Sequence, residues 1–172
     1  KNDLKYDLLA HIFYNKEHFK EKFRSPLPLF FWDEEGNEKS VSELGVAEID
    51  LVKDSVLVQP WNRERLYNKI ISMNHNKFVY DKLNHFGYYY PYLDLCTIYN
   101  GTHSISSGII YKKGTIEVTA VDITETFPHI YTDGRYWYNA HNNEKKGNVT
   151  DFRLAIIYEV AKMKYGLGKL TH

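Results

Sequence analysis

The sequence predicts a mixed α/β (α+β) fold in which helices pack against a mixed sheet. Segments with helical periodicity alternate with β-prone runs along the chain. Clusters of glycine, proline and asparagine separate these segments. The chain has 172 residues, of which 43% are hydrophobic and 26% are charged, a composition typical of one globular domain that needs no disulfide or metal to fold. We therefore expect a single domain over residues 1–172.

The N-terminal segment, residues 1–24, predicts a helix. Asn2 or Asp3 is expected to cap it, because a short polar side chain accepts hydrogen bonds from the first free N–H groups. The helix is expected to end before Pro26, since proline restrains the residue before it and cannot continue a helix. The predicted core face comprises Leu8, Leu9, Ile12, Phe13, Phe19 and Phe23.

Short strands are predicted next. A strand over residues 29–32 leads into a turn at 33–37, and a helical turn or a short return strand follows over 40–44. The apolar residues between 47 and 58 are interrupted by Lys53-Asp54-Ser55. This interruption predicts one or two strands.

Two helices are predicted after Pro60. The first covers residues 63–73, where apolar residues recur on one face. The second covers residues 77–86, and Gly87 is expected to end it because glycine adopts the left-handed C-terminal conformation without penalty. The expected core contacts of the second helix are Phe78, Leu83 and Phe86.

The middle of the chain predicts a strand, a helix and another strand. Residues 88–99 form a β-prone run that is broken by Pro91. Asn100-Gly101 is a sharp turn signal. A short helix is expected over residues 104–111, and a strand over residues 115–123.

The C-terminal part, residues 130–165, predicts a hairpin and a helix. Asp133-Gly134 lies between aromatic strand formers, which is the strongest short hairpin signal in the chain. Residues 140–148 are expected to form a polar loop, and residues 151–165 a helix. The expected signals at the two ends of this helix are Thr150 as its cap and Gly166 and Gly168 as its terminators. Its predicted core face comprises Phe152, Ile156, Val160 and Met163.

Charge and cysteine content narrow the function classes. Lys plus Arg and Asp plus Glu both number 22, which argues against binding of nucleic acid through bulk charge. The single cysteine, Cys96, rules out an internal disulfide framework and favours a reducing, cytoplasmic location. We interpret Cys96 as a buried core thiol, with a redox or nucleophilic thiol as the alternative. No apolar stretch approaches the roughly 20 residues that span a bilayer, so no membrane association is expected.

The segment Asn100-Gly101-Thr102-His103-Ser104 is the first candidate site. A glycine turn before a helix leaves backbone N–H groups pointing outward, and the helix dipole adds partial positive charge. Thr102 and Ser104 could add hydroxyl donors, and His103 could act as a donor or a general base. The pattern therefore predicts an anion site, the alternative being a strand–turn–helix junction that binds nothing.

The second candidate segment is Pro60-Trp61-Asn62-Arg63, followed by Arg65. Here a strand stops at a proline and an arginine pair opens a helix. The planar guanidinium donates two hydrogen bonds at once and so suits phosphate. The alternative is a pair of solvated helix charges.

Together the two segments resemble the ParB/sulfiredoxin-like family over residues 51–124. Pro60-Trp61-Asn62-Arg63 is similar to that family's proline–asparagine–arginine turn, and Asn100-Gly101-Thr102-His103-Ser104 is similar to its glycine–histidine–arginine box at a helix start. Lys113-Gly114-Thr115-Ile116-Glu117-Val118 resembles the link into the closing strand. Members of the family include CTP-binding partition proteins, sulfiredoxin, a free-serine kinase and nuclease-like proteins.

The resemblance implies a fold and a ligand. The fold is a ParB/sulfiredoxin-like mixed sheet with packed helices, to which the N-terminal helix and the C-terminal hairpin and helix are additions. The ligand is a phosphate-bearing molecule, a nucleotide with Mg²⁺. Gly101, His103 and Arg63 match the family's boxes directly. With the other polar residues of the two candidate segments, the expected ligand-binding residues are Arg63, Arg65, Asn100, Gly101, Thr102 and Ser104. If the domain is an enzyme, His103 is the expected proton-transfer residue, and phosphoryl transfer or phosphodiester hydrolysis is the reaction class.

Two residues depart from the family pattern. Ser104 stands where the family usually has arginine, which weakens the expectation of tight triphosphate binding and of catalysis. Thr102 stands where sulfiredoxin has its reactive cysteine, so sulfiredoxin activity is not expected. No helix-turn-helix region follows, so a centromere-binding role is not expected either.

Two further functions stay open. A non-catalytic relative would bind a protein or a nucleic acid through the aromatic hairpin that contains Tyr136, Trp137 and Tyr138. A nuclease would need carboxylates gathered by the fold, for which the candidates are Asp94, Glu117 and Asp122. The eight histidines show no acidic or cysteine partner at metal-binding spacing, so no metal site is expected.

Overall fold

The computed structural model describes residues 1–14 and 25–170, and this part of the chain forms an α+β structure of four helices and ten strands. The helices are α1 Asn2–Tyr14, α2 Arg63–His75, α3 Thr102–Ile110 and α4 Phe152–Leu170. The strands are β1 Phe30–Trp32, β2 Glu38–Ser40, β3 Glu43–Asp50, β4 Val56–Leu57, β5 Phe86–Tyr90, β6 Leu95–Asn100, β7 Thr115–Val121, β8 Ile130–Thr132, β9 Tyr136–Asn139 and β10 Lys145–Asn148. The predicted fold class is confirmed.

The chain divides into two compact units. The described residues of the first unit are 1–14, 45–89 and 94–120, and those of the second are 25–44, 90–93 and 121–170. The expectation of a single domain, with a core over residues 51–124, stays a prediction.

The first unit is built on a five-stranded sheet with the order β3-β7-β5-β6-β4. Strands β4 and β6 pair in parallel, as do β5 and β7. Buried residues alternate along β7 at Ile116, Val118 and Ala120, whereas all residues from Leu95 to Ile98 of β6 are buried, as expected of a strand that is covered on both faces. The buried core comprises Leu9, Ile49, Leu51, Val56, Val58, Cys96, Ile98, Ile105, Ile109, Ile116 and Val118.

The second unit contains two small antiparallel sheets and α4. Strands β1 and β2 form a hairpin around the predicted turn at residues 33–37, where Asp33 accepts hydrogen bonds from Asn37. Strands β8, β9 and β10 form the other sheet. The predicted hairpin at Asp133-Gly134 is confirmed, because β8 and β9 pair antiparallel across it and the Asp133 carboxylate accepts the N–H groups of Arg135 and Tyr136.

The first helix differs from its prediction in two respects. Asn2 and Asp3 lie inside the first turn of α1, so neither is its cap. Leu8, Leu9 and Ile12 are buried as predicted, whereas Phe13 is 54% exposed. The continuation of the predicted helix through residues 15–24, with its core residues Phe19 and Phe23, lies outside the described residues.

The predicted helix over residues 77–86 is wrong. These residues form turns in which the carbonyl of Asp81 accepts the N–H groups of Asn84 and His85, and β5 begins at Phe86. Gly87 is a strand residue, and a Cβ there would lie 2.6 Å from the carbonyl oxygen of Thr97. Close approach of strand β6, not helix termination, therefore requires this glycine. Of the three expected core contacts only Phe78 packs against the core, while Leu83 is 87% and Phe86 37% exposed.

The last helix also corrects three predictions. Asp151 caps it in place of Thr150, because its carboxylate accepts the N–H of Arg153 at 2.9 Å. The helix continues through both glycines to Leu170. Its predicted core residues Phe152, Ile156, Val160 and Met163 are exposed, and the buried residues are Leu154, Ala155, Tyr158 and Ala161.

The predicted loop over residues 140–148 contains a strand. Its last four residues form β10, which pairs with β9 through an irregular register between Lys145 and Gly147. This strand was not predicted because β10 has no fully buried residue, so its sequence lacks the apolar residues that indicate a strand. No helix in the described part of the chain is long and apolar enough to cross a membrane.

Candidate functional site: a cationic cleft at the start of a helix

Gly101 makes the turn that joins β6 to α3. Its φ is +70°, the left-handed region that glycine adopts without strain. A Cβ at this position would lie 2.4 Å from the His85 ring and 2.9 Å from the carbonyl oxygen of Asn84. Within the described residues, no side chain caps the first turn of α3. The N–H groups of Thr102, His103 and Ser104 thus begin a helix without the usual side-chain acceptor.

A series of hydrogen bonds through His85 and Ser104 holds this turn in place. The N–H of Asp81 donates to Nδ1 of His85, so the ring proton resides on Nε2. That Nε2 donates to the Ser104 hydroxyl at 2.7 Å, and the hydroxyl donates to the carbonyl oxygen of Gly101 at 3.0 Å. Burial lowers the pKa of His85 and so favours the neutral ring that this series of hydrogen bonds requires. The Ser104 proton is therefore committed to the turn, and its expected role as a donor to a ligand is corrected.

His103 joins the two sequence segments that carry the family resemblance. Its Nε2 accepts the N–H of Asn62 at 3.1 Å, and the ring contacts Trp61 edge-on at 5.1 Å between centroids. Burial, helped by the cations Arg65 and Lys69, lowers its pKa to about 4. A general base needs a free lone pair and a pKa near the working pH. In this geometry His103 has neither, and its remaining ring nitrogen carries a proton that it can donate.

The side chains of Asn62 and Asn100 bond to the backbone at the start of α2 and in the loop before β5. Oδ1 of Asn62 accepts the N–H of Arg65 at 2.9 Å and so caps α2. Nδ2 of Asn100 donates to the carbonyl oxygen of Asn84 at 2.7 Å. Asn100, predicted as a ligand contact, thus also positions the loop beside the turn.

These elements surround an open cleft of about 540 Å³. The lining residues are Gln59, Trp61, Arg65, Asn68, Lys69, Ser72, Asn84, Tyr99, Asn100, Gly101, Thr102, His103 and Ser104. Two of these side chains, Arg65 and Lys69, are cations, and none is a carboxylate. Because the α3 N-terminus adds partial positive charge on the opposite side, the whole lining favours an anion.

One face of α2 supplies the basic wall of the cleft. Arg65, Asn68, Lys69 and Ser72 follow the i, i+3, i+4, i+7 spacing of a single helix face. The Arg65 guanidinium lies 5.0 Å from the centroid of the Trp61 ring, a cation–π distance. The sequence could have indicated this polar face, because its residues alternate with the buried residues Leu66 and Met73 along the helix. Of the four residues, only Arg65 was predicted.

Arg63 does not line the cleft. Its guanidinium donates to the carbonyl oxygens of Ile12, at 3.0 and 3.3 Å, and of Phe13, at 3.3 Å. These carbonyls belong to the last turn of α1, where a cation is favourable. Arg63, predicted to frame the phosphate, instead ties α1 to α2.

The model of a family of unknown function, DUF6710, matches residues 1–170. The chain belongs to the DUF6710 family. Searches of the curated proteins and of the solved structures found no match.

The aromatic hairpin of this DUF6710 chain is less accessible than predicted. Trp137 is only 7% exposed and packs edge-on against Tyr158 at 5.1 Å between ring centroids, so its expected role as a partner contact is corrected. Tyr136 lies under the Lys145 ammonium at 3.4 Å, and the Tyr138 hydroxyl donates to Asp133. The aromatic side chains of the hairpin thus contact residues of their own unit.

The remaining reactive residues are occupied elsewhere. Cys96 is fully buried, as predicted, and burial raises the pKa of its thiol, so it is no nucleophile. Asp94 pairs with Lys1, and Glu117 with Lys82. Asp122 caps the short helical turn that follows β7. Among residues 1–14 and 25–170 no three His, Cys, Asp or Glu side chains gather as a metal site.

Proposed function

We propose that this chain binds a phosphate-bearing ligand, a nucleotide, in the cleft between α2 and the start of α3. The observation that carries the proposal is the charge of the lining. Among the described residues that line it, Arg65 and Lys69 are the basic side chains and none is acidic, and the uncapped N–H groups of the first turn of α3 lie in the same cleft. A polyanion would satisfy both walls at once.

The parts of the cleft suit the parts of a nucleotide. The phosphates would lie against the N–H groups of Thr102 and His103, with Arg65 and Lys69 on their other side. Trp61 and Tyr99 line the same cleft and offer aromatic faces on which a base can stack. The volume of about 540 Å³ lies within the range of small-molecule sites.

The proposed activity is binding, with His103 as a donor. Neutral His103 holds the Asn62 backbone with one nitrogen and can donate from the other. Phosphoryl transfer or phosphodiester hydrolysis, the reaction classes that the family resemblance implies, would need a different proton acceptor.

We also propose the relationship to ParB/sulfiredoxin-like domains. It is supported by the order of elements around the cleft. Strand β4 leads through Pro60 into α2, and β6 leads through Gly101 into α3 and then β7. The side chain that departs from that family, Ser104, bonds within the turn and so leaves the charge of the site to α2.

Isothermal titration calorimetry with ATP and with pyrophosphate tests the proposal. The double variant Arg65→Gln/Lys69→Gln should weaken binding by about a hundredfold, because each charge-assisted hydrogen bond contributes roughly 1.5–3 kcal/mol. The matched control is Lys77→Gln, which removes an exposed cation that does not line the cleft. Equal affinities of wild type, double variant and control would overturn the proposed site.

A further inference from the structure

The outer face of α4 is apolar and unpartnered within the described residues. Five side chains on it are more than half exposed: Phe152 62%, Ile156 54%, Val160 57%, Met163 64% and Leu167 65%. Scattered exposed apolar residues are normal, but a contiguous stripe along a 19-residue helix marks an interaction surface.

This stripe lies opposite the face that α4 buries in its own unit. At about 100° per residue the five side chains fall within an arc of roughly 80°. The buried residues Leu154, Tyr158 and Ala161 centre on the other side of the helix. The helix therefore has two separate apolar faces, and its own unit uses only one of them.

The spacing of the stripe is that of a coiled-coil seam. Ile156, Val160, Met163 and Leu167 alternate by four, three and four residues, the d-a-d-a positions of a heptad pattern. A narrow seam of this kind suits one partner helix. Amphipathic helices that lie on membranes instead present a broad apolar face with basic residues along both of its edges.

Charges beside the stripe specify the partner. Glu159 flanks one edge and Lys164 the other, at the g and e positions of the same pattern. Lys164 is exposed, and Glu159 accepts the N–H of Thr132 with one carboxylate oxygen, while no hydrogen bond to the other is seen among the described residues. In a parallel pair of identical helices the acidic edge of each meets the basic edge of the other, whereas an antiparallel pair would set like charges together.

We propose that this face binds a second copy of the chain, with the two α4 helices parallel and in register. The proposed contact lies in the second unit alone and is independent of ligand binding in the cleft. Each Glu159 would pair with Lys164 of the other copy, and the four seam residues would pack against their equivalents.

Analytical ultracentrifugation of the full chain tests the association. The wild type should change from monomer to dimer as its concentration is raised. Val160→Glu should increase the dimer dissociation constant by about a hundredfold or more, since it places an unpaired carboxylate on each side of the seam. Because Val160 is exposed in the single chain, the variant should retain its fold, which circular dichroism checks.

Val79→Glu is the matched control, because Val79 is 75% exposed but lies outside α4. It should dimerise like the wild type. A wild type that stays monomeric at all concentrations would overturn the proposal, as would equal dissociation constants for the Val160 and Val79 variants. Monomeric wild type that floats with phosphatidylcholine–phosphatidylserine vesicles would assign the stripe to a membrane surface and equally overturn it.

Disulfide trapping tests the orientation. Ile156→Cys and Leu167→Cys, near the two ends of the seam, should each cross-link two copies under mild oxidation. An antiparallel pair would bring at most one of these positions next to its equivalent, so cross-linking of only one variant would contradict the parallel arrangement. The native Cys96 does not interfere, because it is fully buried.

Discussion

Gly101 shows how a single residue shapes the candidate site. Its left-handed backbone turns the chain into α3, and its missing side chain leaves room for the His85 ring beneath the turn. The Asn100-Gly101 pair could be read from the sequence as a turn, since glycine is the residue that adopts positive φ freely. The contact with His85 could not be predicted, because the two residues are 16 positions apart. In addition, the turn that holds His85 has a helix-like apolar spacing and was predicted as a helix.

Gly101→Ala should destabilise the protein by about 2 kcal/mol or more. The left-handed conformation costs roughly 1–2 kcal/mol for alanine, and the added Cβ would also clash with His85. Gly36→Ala is the control, because Gly36 has a φ of +85° but no atom within 4 Å of a built Cβ. Chemical denaturation measures both. A loss at Gly101 no larger than the loss at Gly36 would show that the packing beneath the turn is unimportant.

His103 should make stability depend on pH. Its pKa falls from 6.5 to about 4 on folding, so below pH 6.5 the unfolded chain binds a proton that the folded chain does not. The free energy of unfolding should therefore decrease as pH is lowered from 6.5 towards 4, and the loss should be complete below that value. Burial lowers the pKa of His85 as well, which adds a loss of the same sign.

Thermal unfolding between pH 7 and pH 4 measures this effect. His103→Asn should show a shallower decline than the wild type, since it removes one of the histidines whose pKa is lowered by folding. His75→Asn, at the exposed end of α2, should follow the wild type. Parallel profiles for the wild type and the His103 variant would refute the assigned burial of this ring.

At the scale of elements, α2 carries two arginines with different roles. Arg63 donates to the last carbonyls of α1, whereas Arg65, two residues later, lines the cleft. Both were predicted to bind phosphate. Residues two apart on a helix point about 200° away from each other, so the spacing already showed that they could not share a site. The sequence could not show which of the two arginines points towards α3.

Arg63→Ala and Arg65→Ala should separate stability from binding. Arg63→Ala should lower the free energy of unfolding by about 1–3 kcal/mol, the contribution of hydrogen bonds from a charged group, and change the pyrophosphate dissociation constant less than about twofold. Arg65→Ala should weaken pyrophosphate binding about tenfold or more, with stability within about 0.5 kcal/mol of the wild type. The reverse pattern in denaturation and calorimetry would exchange the two roles.

The α4 helix shows a limit of periodicity. Two apolar stripes run along it, and the pattern predicted the helix but selected the wrong face as its core. Phe152 and Ile156 are larger than Ala155 and Ala161, so hydrophobicity alone favoured the exposed stripe. The buried face is the one on which Tyr158 packs against the rings of Trp137 and Phe127. Packing of this kind depends on residues distant in sequence.

At the scale of the whole molecule, the two compact units carry the two proposals separately. All lining residues of the cleft belong to the first unit, and the stripe of α4 belongs to the second. Ligand binding and self-association can therefore be tested independently. The general class of the fold followed from local patterns, because alternating helix and strand signals are summed over many residues. The cleft could not be predicted in this way, because it depends on the packing of α2 against α3, and local sequence patterns do not specify which helices pack together.

The uncapped N–H groups at the start of α3 are the central feature of the proposed site. Titration of ¹⁵N-labelled protein with pyrophosphate, followed by ¹H–¹⁵N correlation spectra, observes these groups directly. We expect the amide signals of Thr102, His103 and Ser104 to shift most, together with the side-chain signal of Arg65, while the amides of β8 and β9 stay in place. Saturating pyrophosphate that leaves the signals of Thr102, His103 and Ser104 unmoved would contradict the proposed site.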